Sequence, residues 1–171
     1  MSVPSDPRLT HVDEAGAARM VDVSGKDVTV RTATASGRVL VSPEVVALLR
    51  EGGVPKGDAL AVARIAGIQA AKRTPDLVPL CHPVAIHGVD VDLAVADDAV
   101  HVSATVRTAD RTGVEMEALT CVAVAGLALV DMVKAVDRAA TISDVRVEHK
   151  SGGRSGEWRR GAPPDEPPAG P

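Results

Sequence analysis

The sequence predicts an α+β fold, an antiparallel sheet packed by helices. Three observations carry that expectation. Residues 86–95 and 100–106 both alternate apolar with polar side chains, and Asp97 and Asp98 make a turn between them, which is the pattern of a hairpin. Residues 118–130 carry no charge on any face, over a length that suits a helix and not a strand. Helix caps and breakers punctuate the first half of the chain between strand-like and helix-like runs.

Taken in order, residues 28–41 alternate β-branched with small or polar side chains and read as a strand or hairpin. Ser42 as N-cap, Pro43 in the first turn and Glu44 near the positive end of the dipole start a helix, which Gly52 and Gly53 close. After a loop over 54–57, Asp58 caps a second helix over 59–73 that ends at Thr74 and Pro75. Residues 77–83 (LVPLCHP) lie among prolines and are expected to be extended. The hairpin follows, then Arg111, Thr112 and Gly113 lead into a long helix over 114–136, and residues 142–147 form a last strand. The order is ferredoxin-like, β-α-β-β-α-β with one additional helix. Residues 1–12 read as a flexible N-terminal arm, 13–158 as a single domain, and 159–171 as a disordered Pro-rich tail.

The chain has 171 residues and is 45% hydrophobic, enough for one domain with a real core. That core must be built from Val, Ala, Leu and Ile, because there is no Phe, no Tyr and a single Trp. Small side chains bury less area per residue, so burial against further copies of the chain is an advantage and an oligomer is expected. A net charge of −4, from 19 basic and 23 acidic residues, argues against a nucleic-acid partner, as does the shortage of stacking aromatics. Cys81 and Cys121 form no CxxC pair, which suits a reducing compartment. No secretory signal is visible, and the uncharged run over 118–130 is too short to span a bilayer, so the reading is cytoplasmic with no membrane partner.

The polar ends of the long helix are the first candidates for chemistry. A helix apolar on every face is expected to be buried on every face. One sheet covers one side, so the other side is expected to meet a second subunit. Glu117 and Asp131 lie within about 40° of one face but about 21 Å apart along the axis. They cannot serve one substrate atom within one chain, although antiparallel copies of the helix in two chains could bring them together. Geometry alone equally allows two solvated helix ends.

Asp131 and Lys134 are spaced to pair, either as a proton-transfer or phosphate-anchoring couple or as an ordinary surface pair. Lys56 precedes a helix N-terminus, where a cation and free amides make an anion site, or else it is a plain loop lysine. Cys81 and His82 are adjacent. His82 is a candidate acid or base, or a structural histidine. A zinc site lacks a second ligand cluster, and adjacent extended residues point apart, which disfavours a Cys-His protease pair. The loop at 150–156 (KSGGRSG) carries Lys150 and many free amides without the closing signature of a Walker loop. It reads as a phosphate wrap or a simple linker.

These segments together resemble one family. MVDVS at 20–24, KGD at 56–58, ARIAGIQAAKRT at 63–74, LVPLCHP at 77–83, TGVEMEALT at 112–120, DMVKA at 131–135 and KSGGRSG at 150–156 occur in order over residues 9–158. The chain resembles the molybdenum-cofactor biosynthesis protein C family, the cyclic pyranopterin monophosphate synthases. Pro75 and Val130 stand where members often carry aromatics. The resemblance implies a ferredoxin-like catalytic domain over 13–158 that acts on a cyclised dihydro-GTP and releases diphosphate. It implies a homohexamer, a trimer of dimers with the site where two subunits meet, and no cofactor or metal. It places catalytic roles on Asp131, Lys134 and Lys56, and substrate contacts on Leu80, Cys81, His82, Met116, Glu117 and Lys150.

Overall fold

The computed structural model describes residues 12–13, 15–52 and 58–161. The five strands are β1 (Thr29–Leu40), β2 (Ile86–Val95), β3 (Ala99–Asp110), β4 (Thr141–Ser151) and β5 (Trp158–Arg159). The helices are α1 (Pro43–Glu51), α2 (Ala59–Ala71), α3 (Thr74–Leu77) and α4 (Glu115–Val133). The sheet runs β2-β3-β1-β4-β5, and every neighbouring pair is antiparallel. Since β1 and β2 both lie antiparallel to β3, they run parallel to each other, and α1 and α2 supply the crossover that a parallel relation requires. This is the expected α+β, ferredoxin-like arrangement.

Local chemistry explains the helix boundaries. Ser42 caps α1 by accepting the Val45 amide at 3.4 Å, and Gly52 ends it in the left-handed region at φ 72°. Asp58 accepts the Ala61 amide at 2.9 Å and starts α2. α2 stops at Ala71, where the backbone tightens into the single turn of α3, and the Thr74 hydroxyl bonds back to the Ala71 carbonyl at 3.1 Å. The segment expected to be wholly extended from residue 77 thus begins as the end of a short helix. The Val78 amide bonds to the Thr74 carbonyl and the Cys81 amide to the Val78 carbonyl.

The core lies between the sheet and the helical layer of α2 and α4. Ala33, Ala35, Gly37 and Val39 point inward from β1 by strict alternation. They meet Ala118, Cys121, Val122, Ala125 and Leu129 of α4. Without aromatics the layers close by bringing backbones together. A Cβ on Gly37 would stand 2.8 Å from Val122 Cγ1, and one on Gly67 of α2 would stand 2.9 Å from the Cys121 carbonyl oxygen. α2 thus packs on the flank of α4, at Cys121 and Ala125, and the stripe of α4 that holds Met116 and Leu127, expected to meet another subunit, stays exposed in the single chain. Burial is not complete on every face, because Leu127 remains 60% exposed.

β4 runs four residues beyond the expected end at 147, and β5 was not foreseen at all. Residues 1–11 of the expected arm and residues 162–171 of the Pro-rich tail lie outside the described residues, as does Lys56.

Candidate active site

One cavity of about 470 Å3 opens where the loop after α3, the N-terminus of α4, β4 and β5 converge. Leu80, Cys81, His82, Met116, Glu117 and Lys150 all line it. The loop after α3 is held from both sides. His82 Nε2 lies 2.6 Å from the Val21 carbonyl oxygen, and the Thr108 hydroxyl donates to the Ala85 carbonyl at 2.6 Å. A carbonyl only accepts, so Nε2 carries the hydrogen, and Nδ1 is the basic nitrogen of the neutral ring.

Glu117 is the unusual group. It sits in the first turn of α4 and is 3% exposed. Burial pushes its carboxyl up to about 7, and the charge of Glu115 adds to the rise. Near neutral pH it therefore exists partly as an acid that can donate a hydrogen bond. Burial raises the Cys81 thiol above its usual value, and the Glu117 charge adds to the rise. A thiol raised in this way is a poor nucleophile, so Cys81 acts here as a cavity wall.

Lys150 reaches in from the end of β4, with Nζ 3.1 Å from Glu115 Oε1 and 3.3 Å from Ser155 Oγ. The glycine before α4 makes room for this pair, since a Cβ on Gly113 would overlap the Glu115 carboxylate. From Lys150 the cavity continues into a polar recess of about 400 Å3 that Lys26 and Arg31 also line. A third recess of about 480 Å3 adds Arg154 to those two cations. Gly152 (φ 95°) and Gly153 (φ 70°) wrap the loop against Val30 and Arg31, where any side chain would collide with the Val30 carbonyl or the Arg31 guanidinium. Sequence reasoning missed Lys26 and Arg31. Their signal is the strand register that sets Thr32 opposite Ser151, which composition and periodicity do not encode.

Asp131 and Lys134 stand at the other end of α4. Lys134 Nζ bonds Asp131 Oδ1 at 2.6 Å, and both side chains are more than half exposed. At 1.5 Å per residue, Lys134 lies about 25 Å along the axis from Glu117. Within one chain these two residues do not reach the cavity that holds the other six. Among the described residues no group of three or more His, Cys, Asp or Glu side chains is placed to hold a metal ion.

Fold and cleft define an α+β enzyme whose apolar, carboxyl-bearing pocket opens into a basic groove. A model of the MoaC family matches residues 20–153, and the chain belongs to that family, which functions in molybdenum cofactor biosynthesis. A cyclic pyranopterin monophosphate synthase of Streptomyces coelicolor is 75% identical over 157 residues, covering 92% of each chain. A synthase of the same name from Nocardioides is 72% identical and covers 91% of this chain and 98% of its own. A relative from Mycobacterium tuberculosis named cyclic pyranopterin monophosphate synthase 2 is 61% identical and covers 89% of this chain and 91% of its own.

Proposed function

We propose that this enzyme converts (8S)-3',8-cyclo-7,8-dihydroguanosine 5'-triphosphate to cyclic pyranopterin monophosphate and diphosphate. The observation that carries the reading is the continuity of the pocket. A recess with a buried carboxyl suits the guanine-derived ring, and it opens directly onto Lys150, Lys26 and Arg31, which suit a triphosphate. His82 and Glu117 hold the ring, and the glycine-rich loop at Lys150 lies over the phosphates.

The reaction needs proton transfers during ring rearrangement and attack on the α-phosphorus, with the bond to the diphosphate breaking as the new one forms. Charge developing on the departing oxygens needs cations. Lys134 and Lys56 share these tasks, one as proton donor or acceptor and one as phosphate anchor. Asp131 orients and charges Lys134 through their short contact.

Asp131 and Lys134 are far from the cavity in their own chain, so each site is completed by a second subunit, within a homohexamer built as a trimer of dimers. The exposed Leu127 on α4 and Ile65 on α2 supply apolar surface for such contacts. A cytoplasmic location agrees with two free cysteines.

The test is diphosphate release from the purified cyclised substrate. Wild-type protein should turn over, and Lys134→Ala should lose about 10²–10⁴-fold, the scale of one proton-transfer group. Its melting temperature should barely move, because an exposed ion pair contributes about 0–1 kcal/mol. Absence of diphosphate from wild type would overturn the function. Wild-type rates from Lys134→Ala would overturn the role given to that residue.

A further inference from the structure

Trp158 is the only aromatic residue in the chain, and it lines the same cavity as Met116 and Glu117. It is not part of the core. An indole offers more apolar area than any other side chain here, yet 42% of this residue stays exposed. If its purpose were packing, the aromatic-free core between β1 and α4 would be the place for it.

Its placement is instead specified from several sides. β5 is only two residues long, a length with little pairing stability of its own. Trp158 lies directly opposite Lys150 in the β4–β5 pair, so the two side chains share a face of the sheet. The flanking residues fix that register. The Arg160 amide bonds the Glu148 carbonyl at 2.9 Å, and Arg160 Nε bonds the Val147 carbonyl at 2.7 Å. Glu157 Oε1 takes both His149 at 3.0 Å and Arg159 at 2.7 Å. The Arg160 guanidinium sits 5.5 Å from the indole centroid and holds the ring by a cation–π contact.

We propose that Trp158 is a substrate-binding residue, whose indole takes the planar face of the guanine-derived ring beside the Lys150 ammonium. The proposal rests on the function inferred above, and it adds the group that selects a heterocycle over any other polyphosphate. A flat aromatic wall with a cation at its edge recognises a nucleobase-like ring bearing phosphates, and neither feature alone does so.

The test uses the full-length protein, in which Trp158 is the sole source of indole emission. GTP should change that emission saturably, and inorganic triphosphate at equal ionic strength should not. In the diphosphate assay Trp158→Ala should raise KM about 5- to 150-fold, the range of stacking one base on an aromatic, with kcat within about threefold. Trp158→Phe should restore most of the lost affinity.

Equal emission responses to GTP and triphosphate would overturn the proposal, as would a wild-type KM in Trp158→Ala. It would also be overturned if Trp158→Ala dissociated the assembly and lost kcat in parallel, since the ring would then serve a subunit contact. A wild-type protein that releases no diphosphate would strike the function instead, and the GTP titration would still decide the role of Trp158.

Discussion

Glu117 couples the chemistry of the pocket to the stability of the fold. Its carboxyl titrates near 7 in the folded chain and near 4.5 when unfolded. Below pH 4.5 both states hold the proton and the residue contributes no pH dependence. Between 4.5 and 7 the folded state holds more protons than the unfolded state, so stability falls as pH rises. Above 7 the penalty is constant, at about 3 kcal/mol by the conversion of pKa shift to free energy. Glu117→Gln should therefore match wild type in thermal unfolding at pH 4.5 and exceed it increasingly up to about pH 7.5. A melting-temperature difference that stays flat across that window would show that the carboxyl is not held neutral by burial. Glu117 is legible in the sequence as a charge at a helix end. Its burial was not legible, because it depends on the loop after α3 folding over the first turn of α4. Lys134 and Asp131 were legible as a pair from their spacing alone, and they do pair.

At the scale of elements, caps and alternation carried most of what could be read. Ser42, Gly52 and Asp58 bound α1 and α2 where the sequence placed them, and the turn at Asp97 and Asp98 joins β2 to β3. The two misread strand segments share one cause. The last residues of β4 carry no apolar alternation, because Glu148, His149, Lys150 and Ser151 are polar, yet His149, Lys150 and Ser151 pair with Thr34, Ala33 and Thr32 of β1. β5 has no periodicity to detect in two residues. Both are strands by virtue of a partner, which local sequence does not contain. The α2–α4 contact has a clearer signature in small residues at Ala63, Gly67, Cys121 and Ala125. Gly67→Ala tests it with two opposed effects. Helix propensity favours Ala by about 1 kcal/mol. The new Cβ would meet the Cys121 carbonyl oxygen at 2.9 Å and its sulfur at 3.1 Å, and overpacking of that kind costs about 1–3 kcal/mol. Since a helix backbone cannot yield as a side-chain tip can, the loss should prevail, and the urea midpoint should drop. An unchanged or raised midpoint would mean that the two helices separate more easily than their packing implies.

For the whole molecule the decisive fact is the length of α4. Its first turn belongs to the pocket with Glu117, and its last carries Asp131 and Lys134, about 25 Å away. No rotamer of Lys134 covers that distance, so the role proposed for Lys134 requires it to come from a second chain. A symmetric pairing of chains would bring the last turn of one α4 to the first turn of another, and each copy would both donate and receive. Complementation between two inactive variants measures this. Lys150→Ala lacks the pocket cation and keeps Lys134, whereas Lys134→Ala keeps the pocket and lacks the reacting end. In a randomly reassembled equal mixture about one quarter of the sites would draw both halves from intact chains, by the combinatorics of a shared two-chain site. Mixed assemblies should thus recover about a quarter of wild-type turnover while either variant alone stays inactive, with subunit exchange verified by native mass spectrometry. If exchange is complete and the mixture is no more active than its parents, Lys134 and Lys150 serve the same half-site, and α4 does not bridge two active sites.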